Sequence, residues 1–78
     1  MPTARADRLR PRKRPSQARS QRTVDAILKA AAQVFSKRGY AATTTNHIAE
    51  RAGVSIGSLY EYFPSKDALL AALMEAHI

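Results

Sequence analysis

Between Thr44 and Lys66 the chain concentrates side chains that form hydrogen bonds. Hydroxyls come from Thr44, Thr45, Ser55 and Ser58, phenols from Tyr60 and Tyr62, and an ammonium from Lys66. The stretch "GVSIGSLYEYF" (53–63) sets two glycines four apart, with Ser55 between them, Ser58 just after the second and aromatics beyond. Groups of this kind recognise polar edges and anions; they do not by themselves break covalent bonds. Nothing else in the sequence supplies catalysis. There is no Gly-rich phosphate loop, no nucleophile–base pairing and no metal-ligand cluster, so an enzyme is not expected. Cysteine is absent, and His47 and His77 lie thirty residues apart without a paired carboxylate, so neither reads as a metal ligand. No cofactor is implied.

The elements that position these groups follow from apolar spacing and punctuation. Ile56, Leu59, Tyr60 and Phe63 recur at helical spacing, so a helix is expected from Ser55, its N-cap, to about Tyr62. Pro64 prevents continuation and biases Phe63 away from α geometry. Before it, a short helix capped by Thr44 or Thr45 runs to about Ala52 and buries Ile48, Ala49 and Ala52, with Gly53 stopping it. Ala49 leaves room for a crossing helix, Gly53 permits positive φ, Val54 plugs the corner and Leu59 anchors the second helix inward. This set meets the helix-turn-helix requirement. At about 100° per residue, Leu59 and Phe63 face the core, Ile56 and Tyr60 the rim, and Gly57, Ser58 and Glu61 the outside.

A surface that enters a DNA major groove must be thin. Gly57 and Ser58 make it so, although Gly57 lowers helix propensity by about 1 kcal/mol relative to alanine. Ser55, Ser58, Tyr60 and Tyr62 offer groups for base edges or phosphates, Ile56 an apolar contact for a thymine methyl, and the first backbone amides a phosphate site. Tyr60 is a reader or a core aromatic with its hydroxyl at the surface; Tyr62 is expected to be exposed. Lys66 is a phosphate contact or a solvated lysine. Glu61 points to solvent or accepts from a cytosine amino group.

Two further helices flank this unit. Residues 19–38 carry an apolar stripe of Val24, Ile27, Leu28, Ala31, Ala32 and Phe35, with Ser16 or Ser20 as cap and Gly39 as left-handed stop. After Pro64, Ser65 caps a last helix whose apolar side is Leu69, Leu70, Leu73 and Ala76; no stop signal appears before Ile78. The 78-residue chain holds one domain at most, with a small core, and no apolar run approaches the ~20 residues of a bilayer span.

The net charge of +7 is unevenly placed. Residues 1–22 hold eight basic side chains against Asp7 alone, whereas residues 23–78 balance five basic against five acidic groups. The segment 1–18, with three prolines and few apolar residues, is expected to be a disordered basic arm that seeks polyanions.

The stretch "ILKAAAQVFSKRGYAATTTNHIAERAGVSIGSLYEYFPSKDALL" resembles the DNA-binding domain of the TetR/AcrR family of bacterial transcriptional regulators. The match runs from about Arg22 to Leu73 and includes Gly39-Tyr40, Thr43-Thr44-Thr45, Ile48-Ala49, Ala52-Gly53-Val54-Ser55, Leu59-Tyr60, Tyr62-Phe63 and Ser65-Lys66. The resemblance implies an all-α fold: a three-helix helix-turn-helix head (19–78, the motif at about 44–63) and the start of a fourth, linker helix. It implies DNA contacts at Thr45, Ser55, Ile56, Gly57, Ser58, Tyr60, Tyr62 and Lys66, with Thr44 beside them. It also implies a palindromic operator on duplex DNA, repression in a bacterial cytoplasm at the nucleoid, and no membrane. The family's ligand-binding domain is absent from these residues, so a homodimer and a small-molecule effector are expected only with that domain. The competing reading is an adaptor whose basic arm docks on RNA or an anionic membrane while the helical head binds a protein.

Overall fold

The computed structural model describes residues 15–76, with side chains from Ala18 onward. They form four helices and, among the described residues, no strand: α1 (Pro15–Arg38), α2 (Thr45–Ala52), α3 (Ile56–Tyr62) and α4 (Lys66–Ala76). The all-α expectation holds. Of the expected disordered arm, residues 1–18, the last four are helical and belong to α1, while residues 1–14 lie outside the described residues.

α1 begins at Pro15 rather than near residue 19. Proline suits the first helical position, because its missing N–H would have no partner there and its φ is already helical. Ser16 and Ser20 therefore sit inside the helix and neither starts it. Local bonds support this early stretch: Gln21 Nε2 donates to Asp25 Oδ1 at 3.0 Å, one turn on. At 1.5 Å per residue the 24 residues of α1 extend about 36 Å, and α2 and α4 pack on it.

The core is small and aliphatic. Ile27, Ala30, Ala31 and Val34 of α1 meet Ile48 and Ala49 of α2, Leu59 of α3 and Leu69 of α4. Leu28, Phe35, Ala52, Val54, Ile56, Tyr62, Phe63 and Leu73 close around them. Two expected core positions are exposed. Ala32 is exposed while Ala30 and Val34 are buried, since three adjacent alanines give no size cue to the direction of the stripe. Ala76 is also exposed, because the apolar cluster stops at Leu73.

The turn after α1 is built from polar atoms. Gly39 takes φ +81°, and its N–H donates to Phe35 O at 2.8 Å. Thr43 is 1% exposed. Its hydroxyl donates to Gly39 O at 2.6 Å and lies 3.4 Å from Val34 O, so a polar side chain is buried with its donor used.

Candidate nucleic-acid interface

The corner between α2 and α3 has the geometry its residues require. Thr44, in extended backbone, caps α2: its Oγ1 accepts from His47 N–H at 3.1 Å and lies 3.0 Å from His47 Nδ1. At the far end Gly53 takes φ 78°, ψ 28°, its N–H donating to Glu50 O at 3.2 Å, while Val54 N–H reaches Ala49 O at 3.0 Å. These two bonds form a Schellman motif, which satisfies the last carbonyls of α2. Val54 then packs on the core. Ser55 caps α3, its Oγ accepting from Ser58 N–H at 3.1 Å and donating to Ser58 Oγ at 3.1 Å. One residue separates the end of a Schellman turn from the start of a capped helix, so α3 leaves the corner in a fixed direction.

Leu59, fully buried, pins one side of α3. The opposite arc exposes Gly57, Tyr60 and Glu61, with Ser55 exposed just ahead and Ile56 and Ser58 half-buried at its borders. A Cβ built on Gly57 would meet nothing nearer than Ser55 Oγ at 3.9 Å, and its φ is not positive. Neither internal packing nor backbone geometry demands glycine there. Tyr60 is 48% exposed, and its hydroxyl lies 2.9 Å from Thr45 Oγ1, which ties the first residue of α2 to the middle of α3.

Two candidate residues turn elsewhere. Tyr62, expected to be exposed, is half-buried against the core, and its hydroxyl donates to Ser20 Oγ of α1 at 3.3 Å. The long α1 reaches back far enough to cover it. Lys66 is not a solvated lysine: its Nζ donates to Tyr40 O at 2.7 Å and Thr43 O at 3.0 Å. It also sits 4.2 Å over the Tyr40 ring, which stacks on Phe35 with centroids 5.7 Å apart. Lys66 thus binds the start of α4 to the turn that delivers Thr44 and Thr45. The structure therefore gathers Thr44, Thr45, Ser55, Ile56, Gly57, Ser58 and Tyr60 around the helix-turn-helix, with Tyr62 and Lys66 behind it. Tyr40 and Thr43, which fix this turn, entered the sequence reading only among the positions of the resemblance and were given no role there; a single buried threonine leaves no periodic signal. Among the described residues no group of three metal-binding side chains occurs, and no helix is long and apolar enough to cross a membrane.

The model of the family described as "Bacterial regulatory proteins, tetR family" matches residues 27–73. The chain belongs to the tetR family. This tetR-family chain is 44% identical over 52 residues to the uncharacterized HTH-type transcriptional regulator YerO of Bacillus subtilis, covering 67% of the chain and 18% of YerO. It is 43% identical over 60 residues to the HTH-type transcriptional repressor KstR2 of Mycolicibacterium smegmatis, covering 77% of the chain and 28% of KstR2. It is 46% identical over 52 residues to the HTH-type transcriptional activator FasR of the same organism, covering 67% and 24%. The chain spans between 18% and 28% of the length of these curated relatives. Members of the tetR family bind DNA operators, so its function class is DNA binding in transcription regulation, and these relatives are regulators rather than enzymes.

Proposed function

We propose that the chain is the operator-reading head of a transcriptional repressor, with α3 in the major groove. The observation that carries this reading is Gly57: an exposed helical glycine with open space around its Cα. Glycine there costs about 1 kcal/mol against alanine and brings no internal gain, whereas close approach of a duplex uses the missing side chain. Ser55, Ile56 and Ser58 border the groove floor. Tyr60 and Thr45 share one hydrogen bond between two hydroxyls, which leaves a donor free for the DNA. Thr44 and the third N–H of Lys66 face the phosphates, while Tyr62 sets the pose of α3 through Ser20.

Repression follows by occlusion of promoter DNA. In this reading two heads, joined through helical residues beyond these, read the halves of a palindrome about 34–36 Å apart, and a small-molecule effector acts through the same added part. The regulator works at the nucleoid, in the cytoplasm. The arm, residues 1–14, adds phosphate contacts.

Mobility shifts with fragments of the native promoter test the proposal. Tyr60→Ala and Gly57→Glu should each abolish preference for the operator fragment over unrelated duplex; preference intact in both variants places the reading helix elsewhere. Removing residues 1–14 should lessen the dependence of log affinity on log salt by about 0.9 for each phosphate the arm neutralises. An unchanged slope takes the arm out of the interface. A reporter driven by the same promoter should be less active with the protein present; a rise makes it an activator.

A further inference from the structure

The head is electrically neutral over residues 23–78, yet its cations are not scattered. Four of the five, Lys29, Lys37, Arg38 and Arg51, line one seam between α1 and α2. Of the five acidic residues in the same stretch only Glu50 joins them. The seam comprises a groove of about 460 Å³ and a neighbouring depression of about 370 Å³, which share Gln33 and Arg51. Lys29, Gln33 and Lys37 follow one another at i, i+4 and i+8, a single ridge of α1. Arg51 is held by a neutral partner, its Nε donating to Gln33 Oε1 at 2.7 Å. That bond fixes the guanidinium plane and leaves its two terminal NH2 groups as a fork suited to a carboxylate. His47 also lines the groove, with Nδ1 occupied by Thr44 Oγ1.

We infer that this seam docks an acidic segment of a partner protein. Its α2 residues, His47, Glu50 and Arg51, lie on the far side of the helix from Thr45, at about 100° per residue. The seam therefore does not share a face with the Thr45–Tyr60 pair and stays open when α3 is engaged. A peptide fits better than a phosphate backbone. Ala26 and Ala52, both half-buried, contribute apolar surface that a phosphate chain does not use. Glu50 accepts hydrogen bonds from peptide N–H groups, donors that a phosphate backbone lacks. From Lys29 to Arg38 the seam runs about 13 Å, the length of about four extended residues. The partner segment is thus short, carboxylate-rich and interspersed with small apolar side chains.

The probe is a fluorescein-labelled peptide of alternating aspartate and leucine, with an alternating lysine–leucine peptide as control. In amide chemical-shift titrations of the full chain, the acidic peptide should move the signals of Gln33, Lys37, Arg38, His47 and Arg51 and leave Gly57 and Tyr60 in place. Shifts confined to residues 1–14, or to α3, overturn the inference. By fluorescence anisotropy, Lys37→Ser/Arg38→Ser/Arg51→Gln should weaken the peptide at least fivefold, with operator-fragment affinity within twofold of the parent. Arg8→Ser/Arg10→Ser/Arg12→Ser should leave peptide affinity within twofold. A larger effect of the arm substitutions than of the seam substitutions overturns the inference, as does equal binding of the lysine peptide. Promoter duplex that displaces the peptide and shifts the seam residues makes the seam a phosphate contact instead. Helical circular dichroism at the parent level shows that each variant is folded. The difference between acidic and basic peptide, and its loss in the seam variant, do not depend on which face reads the operator.

Discussion

Replacing Gly57 by alanine should raise stability by about 1 kcal/mol, because the added Cβ meets only Ser55 Oγ at 3.9 Å. For a chain of this size that corresponds to a Tm increase of about 4–8 °C. The same variant should bind the operator fragment more weakly, since the methyl stands where a base edge would approach. A thermal melt and a mobility shift on one preparation check both halves, and a stabilised variant with undiminished affinity would leave Gly57 without a role at the duplex. At this scale the sequence was legible where a residue's type had one use. Ser55 and Gly53 are a cap and a left-handed stop, as their chemistry suggested, and of the two threonines offered as the cap of α2 it is Thr44 that serves. It was less legible where a side chain had a choice of neighbours. Tyr62 and Lys66 look alike as surface groups on a helical wheel, yet one turns to Ser20 and the other to two backbone carbonyls. Those partners sit 42 and more than 20 residues away, beyond the reach of any local pattern.

The corner between α2 and α3 is an element whose cost can be isolated. Gly53 has open space around its Cα but φ +78°, so Gly53→Ala meets no clash and should still cost about 1–2 kcal/mol through backbone conformation alone. Ser55→Ala removes a cap and should cost about 1 kcal/mol. The two sit in one turn, so their effects should not add; urea unfolding of the singles and the double measures the difference. The boundaries of α2 and α3 were readable because a cap residue opens each, with Gly53 closing the first and Pro64 following the second. The start of α1 was not, because Pro15 reads equally as a breaker and as a first helical residue. The stripe on α1 was blurred for a related reason. Among Ala30, Ala31 and Ala32 only packing decides which methyl turns inward.

Taken whole, the molecule rests on few large buried side chains: Ile27, Ile48, Leu59 and Leu69, one from each helix. Total stability for 78 residues is on the order of 4–12 kcal/mol, and Leu59→Ala should remove about 2–5 kcal/mol of it. That variant should unfold at markedly lower urea and lose DNA binding for want of a fold; a parent-like midpoint would mean that α3 is not held by its core side. Lys66 has a different consequence for the molecule. With two carbonyls and an aromatic face around it, its nitrogen must give up these contacts before it can act as a nucleophile. An acylating ester should therefore modify Lys66 more slowly than Lys29 or Lys37, and the rate ratio, followed by mass spectrometry, becomes a gauge of how often α4 parts from the turn at 40–43.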